Sequence, residues 1–227
     1  MENNTHILEE RDDMKHYRII LVLTVSLSVV ISSCLHGQIR LGPRLGMNIA
    51  YRSSSESLPY PSSESYRTGF VVGLTAQQDF VDILSLIAEP VYIQKGNTTS
   101  SFVAGLNQTV ISKASYLEIP VAAKLHLLSG LFTPYMTAGL YISFLLSANG
   151  QTDIGGQIEI YDQKEFTRPI EIGVQGGIGG QYNYSTSFSF FGEVKYSRGL
   201  SKILKEPFSK TLRSYGFLFI VGTMYTI

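Results

Sequence analysis

Charged side chains recur at even spacing inside otherwise apolar stretches of this sequence, and they are its main candidates for chemistry. Glu118 and Lys124 stand in the stretch 116–127, where Leu117, Ile119, Val121, Ala123, Leu125 and Leu127 alternate with Tyr116, Glu118, Pro120, Ala122, Lys124 and His126. Arg40 and Arg44, Glu89, Glu171, and Glu193 with Lys195 occupy the same kind of position in other alternating stretches. Four bases and four acids gathered on one face would pair, because an unpaired buried ion costs several kcal/mol. Pairing is the chemistry these residue types offer, and the expectation is a salt-paired filling rather than a reactive centre.

Other chemistries find little support. His126 is the one histidine after residue 37, so a histidine-dependent hydrolase or transferase has a single candidate, placed at a strand end. No His/Cys cluster has metal-ligand spacing. Gly173 to Gly180 is glycine-rich but lies within a strand pattern, not between a strand and a helix, so it is no phosphate cradle. No catalytic residue, metal or cofactor is expected, and the protein reads as a non-enzyme. Residues 1–37 hold three bases and five acids, which leaves 15 bases against 13 acids and a net charge of +2 for the rest. That balance does not fit nucleic-acid binding.

The elements that must position these charges are long strands. Successive strand side chains point to opposite faces. In 133–148, Met136, Ala138, Leu140, Ile142, Phe144 and Leu146 share one face, and Tyr135, Thr137, Gly139, Tyr141 and Ser143 the other. Each arm of this hairpin has the roughly 9–11 residues that cross a bilayer as a strand. The same pattern recurs at about 39–51, 66–78, 84–95, 168–182, 188–198 and 212–227, giving eight strands. Short returns near 79–83, 128–131 and 183–187 alternate with longer polar connections at 52–65, 96–115, 149–167 and 199–210. Pro90 lacks a ladder donor, so a bulge is expected there, and Pro120 raises the same issue.

An even strand number with alternating loop lengths predicts an all-β fold: an eight-stranded antiparallel up-and-down transmembrane β-barrel. Apolar residues face lipid, the charged ones face in, and both termini lie on the short-turn, periplasmic side. Charged residues make up only 16% of the chain, below the roughly 25% of soluble domains, which suits a wall that faces hydrocarbon. Trp is absent, so Tyr and Phe must supply any interfacial belt. A barrel of this size has an interior just wide enough for side chains to fill.

Residues 1–37 precede the barrel. Lys15, His16 and Arg18 before the apolar run 19–31 form a secretory signal pattern, with Met14 as a natural start. Cleavage after Gly37 competes with a lipobox at Ile31-Ser32-Ser33-Cys34; the strand pattern that begins at once after Gln38 favours the former. The domain reading is 1–37 extension and signal peptide, then 38–227 barrel. Lys202, Lys205 and Lys210, with Arg198 and Arg213, form a basic edge suited to lipopolysaccharide phosphates. Tyr225-Thr226-Ile227 is a slightly altered form of the terminal aromatic signal read by barrel-insertion machinery.

The chain resembles the PorT-type outer-membrane β-barrel domain proteins of Bacteroidetes. The resemblance is carried by Gly42-Pro43-Arg44-Leu45-Gly46-Met47-Asn48, by Glu89-Pro90-Val91-Tyr92-Ile93-Gln94-Lys95-Gly96, and best by Tyr116-Leu117-Glu118-Ile119-Pro120-Val121 with Lys124. Pro134 to Gly139 and Lys195 to Leu200 continue it, over nearly all of 38–227. It implies an eight-stranded porin-like barrel in the outer membrane of a Gram-negative cell. Some members of that family assist type IX secretion, which would make secretion-complex proteins possible partners.

Overall fold

Alternation of apolar and polar residues has one stable outcome in a bilayer, a sheet with no free edge in the hydrocarbon. The structure, a computed structural model, describes residues 38–54, 62–103, 106–201 and 212–227. The signal peptide, Cys34 and the lysines at 202, 205 and 210 lie outside the described residues. The strands are β1 Ile39–Ser54, β2 Ser62–Val81, β3 Leu84–Ala88, β4 Val91–Val103, β5 Leu106–His126, β6 Phe132–Ile154, β7 Gln157–Asp162, β8 Ile170–Asn183, β9 Phe188–Gly199 and β10 Leu212–Thr226.

All pairings are antiparallel, and they close a ring. β1 pairs with β2 and β10, β10 with β9, β9 with β8, β8 with β6 and β6 with β5. β5 pairs with both β3 and β4, and each of these pairs with β2. β3 and β4 are two pieces of one stave, so the ring has eight staves.

The break between them falls at Glu89 and Pro90, where a bulge was expected. The register instead runs straight through: Ala88↔Val121 is followed by Val91↔Glu118 on β5, and Ala76↔Ala88 and Gly73↔Val91 keep step on β2. Proline costs the ladder one donor but keeps its acceptor. The Pro90 carbonyl takes the Leu74 N–H at 3.0 Å, and the Pro120 carbonyl takes the Glu89 N–H at 3.0 Å. Unbroken register keeps Glu89 on the same face as Val91, Ile93 and Lys95.

Two of the expected loops are largely sheet. Residues 96–115 continue β4 and β5 as a hairpin paired as far as Val103↔Leu106. Residues 149–162 fold back as the β6–β7 hairpin, turned at Gly155 and Gly156 with φ of 58° and 92°. The composition of these segments is polar, but their Thr, Val and Ile residues suit a solvated strand.

Sidedness is uniform along the staves. Leu45, Leu74 and Leu140 are each about three-fifths exposed, whereas Arg44, Glu118 and Lys195 are buried to 2% or less. Lumen-facing residues are not all polar. Val91, Ile93, Phe191, Leu218, Ile220 and Met224 form a buried apolar sector beside the charges. Leu140→Arg puts a cation in the middle of the outer wall, and such a change costs about 2–4 kcal/mol at the midplane. Urea titration of the protein in lipid vesicles is expected to show that loss, and an unchanged midpoint would contradict the lipid-facing assignment.

Candidate functional site

The inward faces of the staves contribute buried polar side chains, and the charged ones meet in three tiers. The middle tier holds Arg44 of β1, Glu89 at the β3–β4 break, and Glu193 and Lys195 of β9. Arg44 forms ion pairs with both Glu89 and Glu193. Lys195 pairs with Glu89 and reaches Glu193 at 3.1 Å. Two bases and two acids thus form a closed four-membered ring of ion pairs that links distant staves.

The tier toward the long connections centres on Lys95 of β4. Its ammonium lies 2.7 Å from Glu118 and 3.5 Å from Glu171. Ser143 donates to Glu118 at 2.7 Å, Tyr141 donates to Glu171 at 2.9 Å, and Ser214 also donates to Glu171. Charge-assisted bonds of this kind offset the desolvation that burial imposes.

The tier toward the short turns differs from the expectation. Lys124 donates to the carboxamide oxygens of Gln77 at 2.9 Å and Gln181 at 2.8 Å, rather than to a carboxylate. Arg40 stands apart at the rim, paired with Asp79 at 3.1 Å. Of the eight expected network residues, Arg44, Glu89, Glu193 and Lys195 meet in one tier, and Glu118 and Glu171 meet in another. Lys124 and Arg40 belong to neither ring. Lys95, the cation that holds Glu118 and Glu171, was not among the eight, although the parity from Glu89 through Val91 and Ile93 points to it.

Glycines place aromatic rings under the cations. Tyr141 lies directly opposite Gly173, and Tyr135 opposite Gly179. A Cβ at Gly179 would meet the Tyr135 ring at 2.5 Å, and a Cβ at Gly173 would strike Tyr141. Each ring therefore lies flat on the neighbouring strand and turns a face to a lysine: Lys95 is 4.6 Å from the Tyr141 centroid, Lys124 4.1 Å from that of Tyr135. Phe191 opposite Gly222 repeats the device, with Arg44 at 5.9 Å. Such contacts suit cations held away from water.

The packed middle leaves two voids of about 10 Å³ each, room for one water at most. At the short-turn end a blind vestibule of about 430 Å³ opens, lined among others by Arg40, Asp79, His126, Gln181 and Asn183. His126 sits on its wall, with Nδ1 3.2 Å from the Asp82 carbonyl and Nε2 3.5 Å from Ser85 Oγ. Ser85 is buried and gives its proton to Asp79 at 2.6 Å, so it is not poised as a nucleophile on His126.

Comparison with known proteins gives the architecture a context. The model for the family described as outer membrane protein beta-barrel domain matches residues 31–205. Outer membrane protein OprG from Pseudomonas aeruginosa is similar in structure, with a TM-score of 0.52 and 12% identity over 84% of this chain and 96% of that one. Neisserial surface protein A follows with a TM-score of 0.44 and 15% identity, covering 82% and 96%. Outer Membrane Protein W of E. coli has a TM-score of 0.44 and 13% identity, covering 84% and 98%. At these identities the OprG likeness speaks for the fold alone. No curated protein matches the chain.

Proposed function

Because the chain belongs to the outer membrane protein beta-barrel domain family, an outer-membrane family, we propose that it acts there as a non-enzymatic structural or surface-binding barrel with a sealed lumen. The observation that carries this reading is the filling of the middle tier, whose charges are paired and whose voids have room for single waters. On this reading the short turns and both chain termini face the periplasm, and the long hairpins face outward. Membrane lipid surrounds the wall, lipopolysaccharide meets the loop side, and insertion machinery assists assembly. His126 is a structural rim residue, bonded to the neighbouring β2–β3 turn at Asp82.

The test is conductance. The protein purified from outer membranes and added to planar bilayers is expected to give no stepwise current. The fourfold variant Arg44→Ser, Glu89→Ser, Glu193→Ser, Lys195→Ser empties the middle tier and is expected to conduct. Discrete steps from the wild type would overturn the sealed-lumen reading.

A second reading is an accessory barrel of a type IX secretion or surface-assembly complex, as the PorT-type resemblance implies. It is favoured by apolar side chains exposed on the long hairpins, among them Phe102, Leu106, Ile154, Ile158 and Ile160. Recovery of a stable large complex in mild detergent would support it, and a lone barrel would count against it.

A further inference from the structure

The outer wall carries a recess that the sealed lumen does not explain. Across β6, β8, β9 and β10 one outward row reads Pro134, Gly180, Gly192, Val221, each opposite the next. Two adjacent positions in this row have no side chain. The Phe132 ring lies over Gly180, where a Cβ would meet it at 2.6 Å. Gly192 is different: a Cβ there meets nothing nearer than 4.0 Å. It forms the floor of a recess of about 710 Å³, walled by Phe132, Met136, Ile178, Val194, Phe219 and Val221.

We propose that this recess binds one acyl chain of a phospholipid from the leaflet on the short-turn side. The recess opens on the lipid-facing wall and is continuous with it, so what fills it must come from the bilayer. Its walls are mainly apolar side chains, and Glu193, the one charged residue described along it, holds its carboxylate inward on Arg44 and Lys195, which suits methylene groups and not a headgroup. The leaflet follows from the aromatic residues on the same wall. Phe132, Tyr182, Phe188, Phe190 and Tyr225 cluster toward the short turns, with Phe188 and Phe190 in edge contact at 5.0 Å. Aromatic belts mark the headgroup level, and the recess lies just inside this one. A lipid whose headgroup rests at the belt therefore lays a chain along Gly192, where it fills a hollow that would otherwise cost contacts on every side.

Gly192→Leu tests this, because the new side chain occupies the recess without a backbone clash. The protein is released from membranes in mild detergent and examined by native mass spectrometry, alone and with added palmitoyl-oleoyl phosphatidylethanolamine. Wild type is expected to retain one phospholipid, and in Gly192→Leu the retained fraction falls roughly tenfold. Val72→Leu, on the outer face of β2, is expected to retain it as wild type does. If Gly192→Leu fails to fold, Gly192→Ala, whose single methyl has room, must still lower retention. Equal retention in wild type and the Gly192 variants, or no adduct in any, overturns the proposal. A dimer lost on substitution overturns it too, since the recess would then seat a second copy.

Discussion

Glu89→Gln is expected to destabilise the barrel by about 3–5 kcal/mol, the scale for removing one member of a buried ion pair. Glu89 takes both Arg44 and Lys195. Without its charge the two cations share Glu193 alone, beside a void with room for one water at most. Urea titration in vesicles, followed by the gel mobility of folded and unfolded forms, reads the loss. The double variant Glu89→Gln, Lys195→Met restores one base to one acid, and its cost is expected to fall short of the summed single costs by about 0.5–3 kcal/mol. A Glu89→Gln midpoint equal to wild type would show that the ring adds no stability.

Gly179→Val is expected to destabilise the barrel by about 1–3 kcal/mol from overpacking. Its Cβ meets the Tyr135 ring at 2.5 Å and the Gly192 carbonyl at 2.7 Å, and the second contact is with backbone that cannot swing away. Displacing the ring also uncovers Lys124 and lengthens the 3.4 Å bond that Tyr135 donates to Glu193. The measurement is the same titration, with Gly192→Ala as the neutral reference because that position is open. A Gly179→Val midpoint matching Gly192→Ala would mean that the ring does not rest on Gly179.

Period-two patterning carries most of the architecture. Leu117, Leu140 and Phe219 look outward, and Glu118, Lys195 and Glu193 inward, because a strand has only two faces and hydrocarbon accepts only one kind of side chain. Pairing across the lumen is another matter. Arg44 and Glu193 lie 149 residues apart, and Lys195 and Glu89 lie 106 apart. Such contacts depend on shear and stave order, which alternation within one strand does not encode. Lys95 was missed because the polar run after it looks like a loop, and a strand end gives a parity argument little length to work with. The glycines of β8 were visible, but their role required knowing that Tyr135 and Tyr141 stand opposite them. The inward apolar sector had no warning either, since Leu218 and Ile220 alternate with residues as apolar as themselves.

The seam between the first and last strands has a kinetic consequence. β1 and β10 join along a register that runs from Arg40↔Thr226 to Ser54↔Leu212. Contacts so remote in sequence carry a large loop-closure cost and form late. Until that seam zips, Arg44 has no neighbour on its open side and the half-built sheet would offer bare amides and a guanidinium to oil. Maturation must therefore be nearly all-or-none at the last step, with a stalled intermediate prone to clump through its raw edge. A chaperone that holds the β1 edge until β10 arrives would meet that hazard directly.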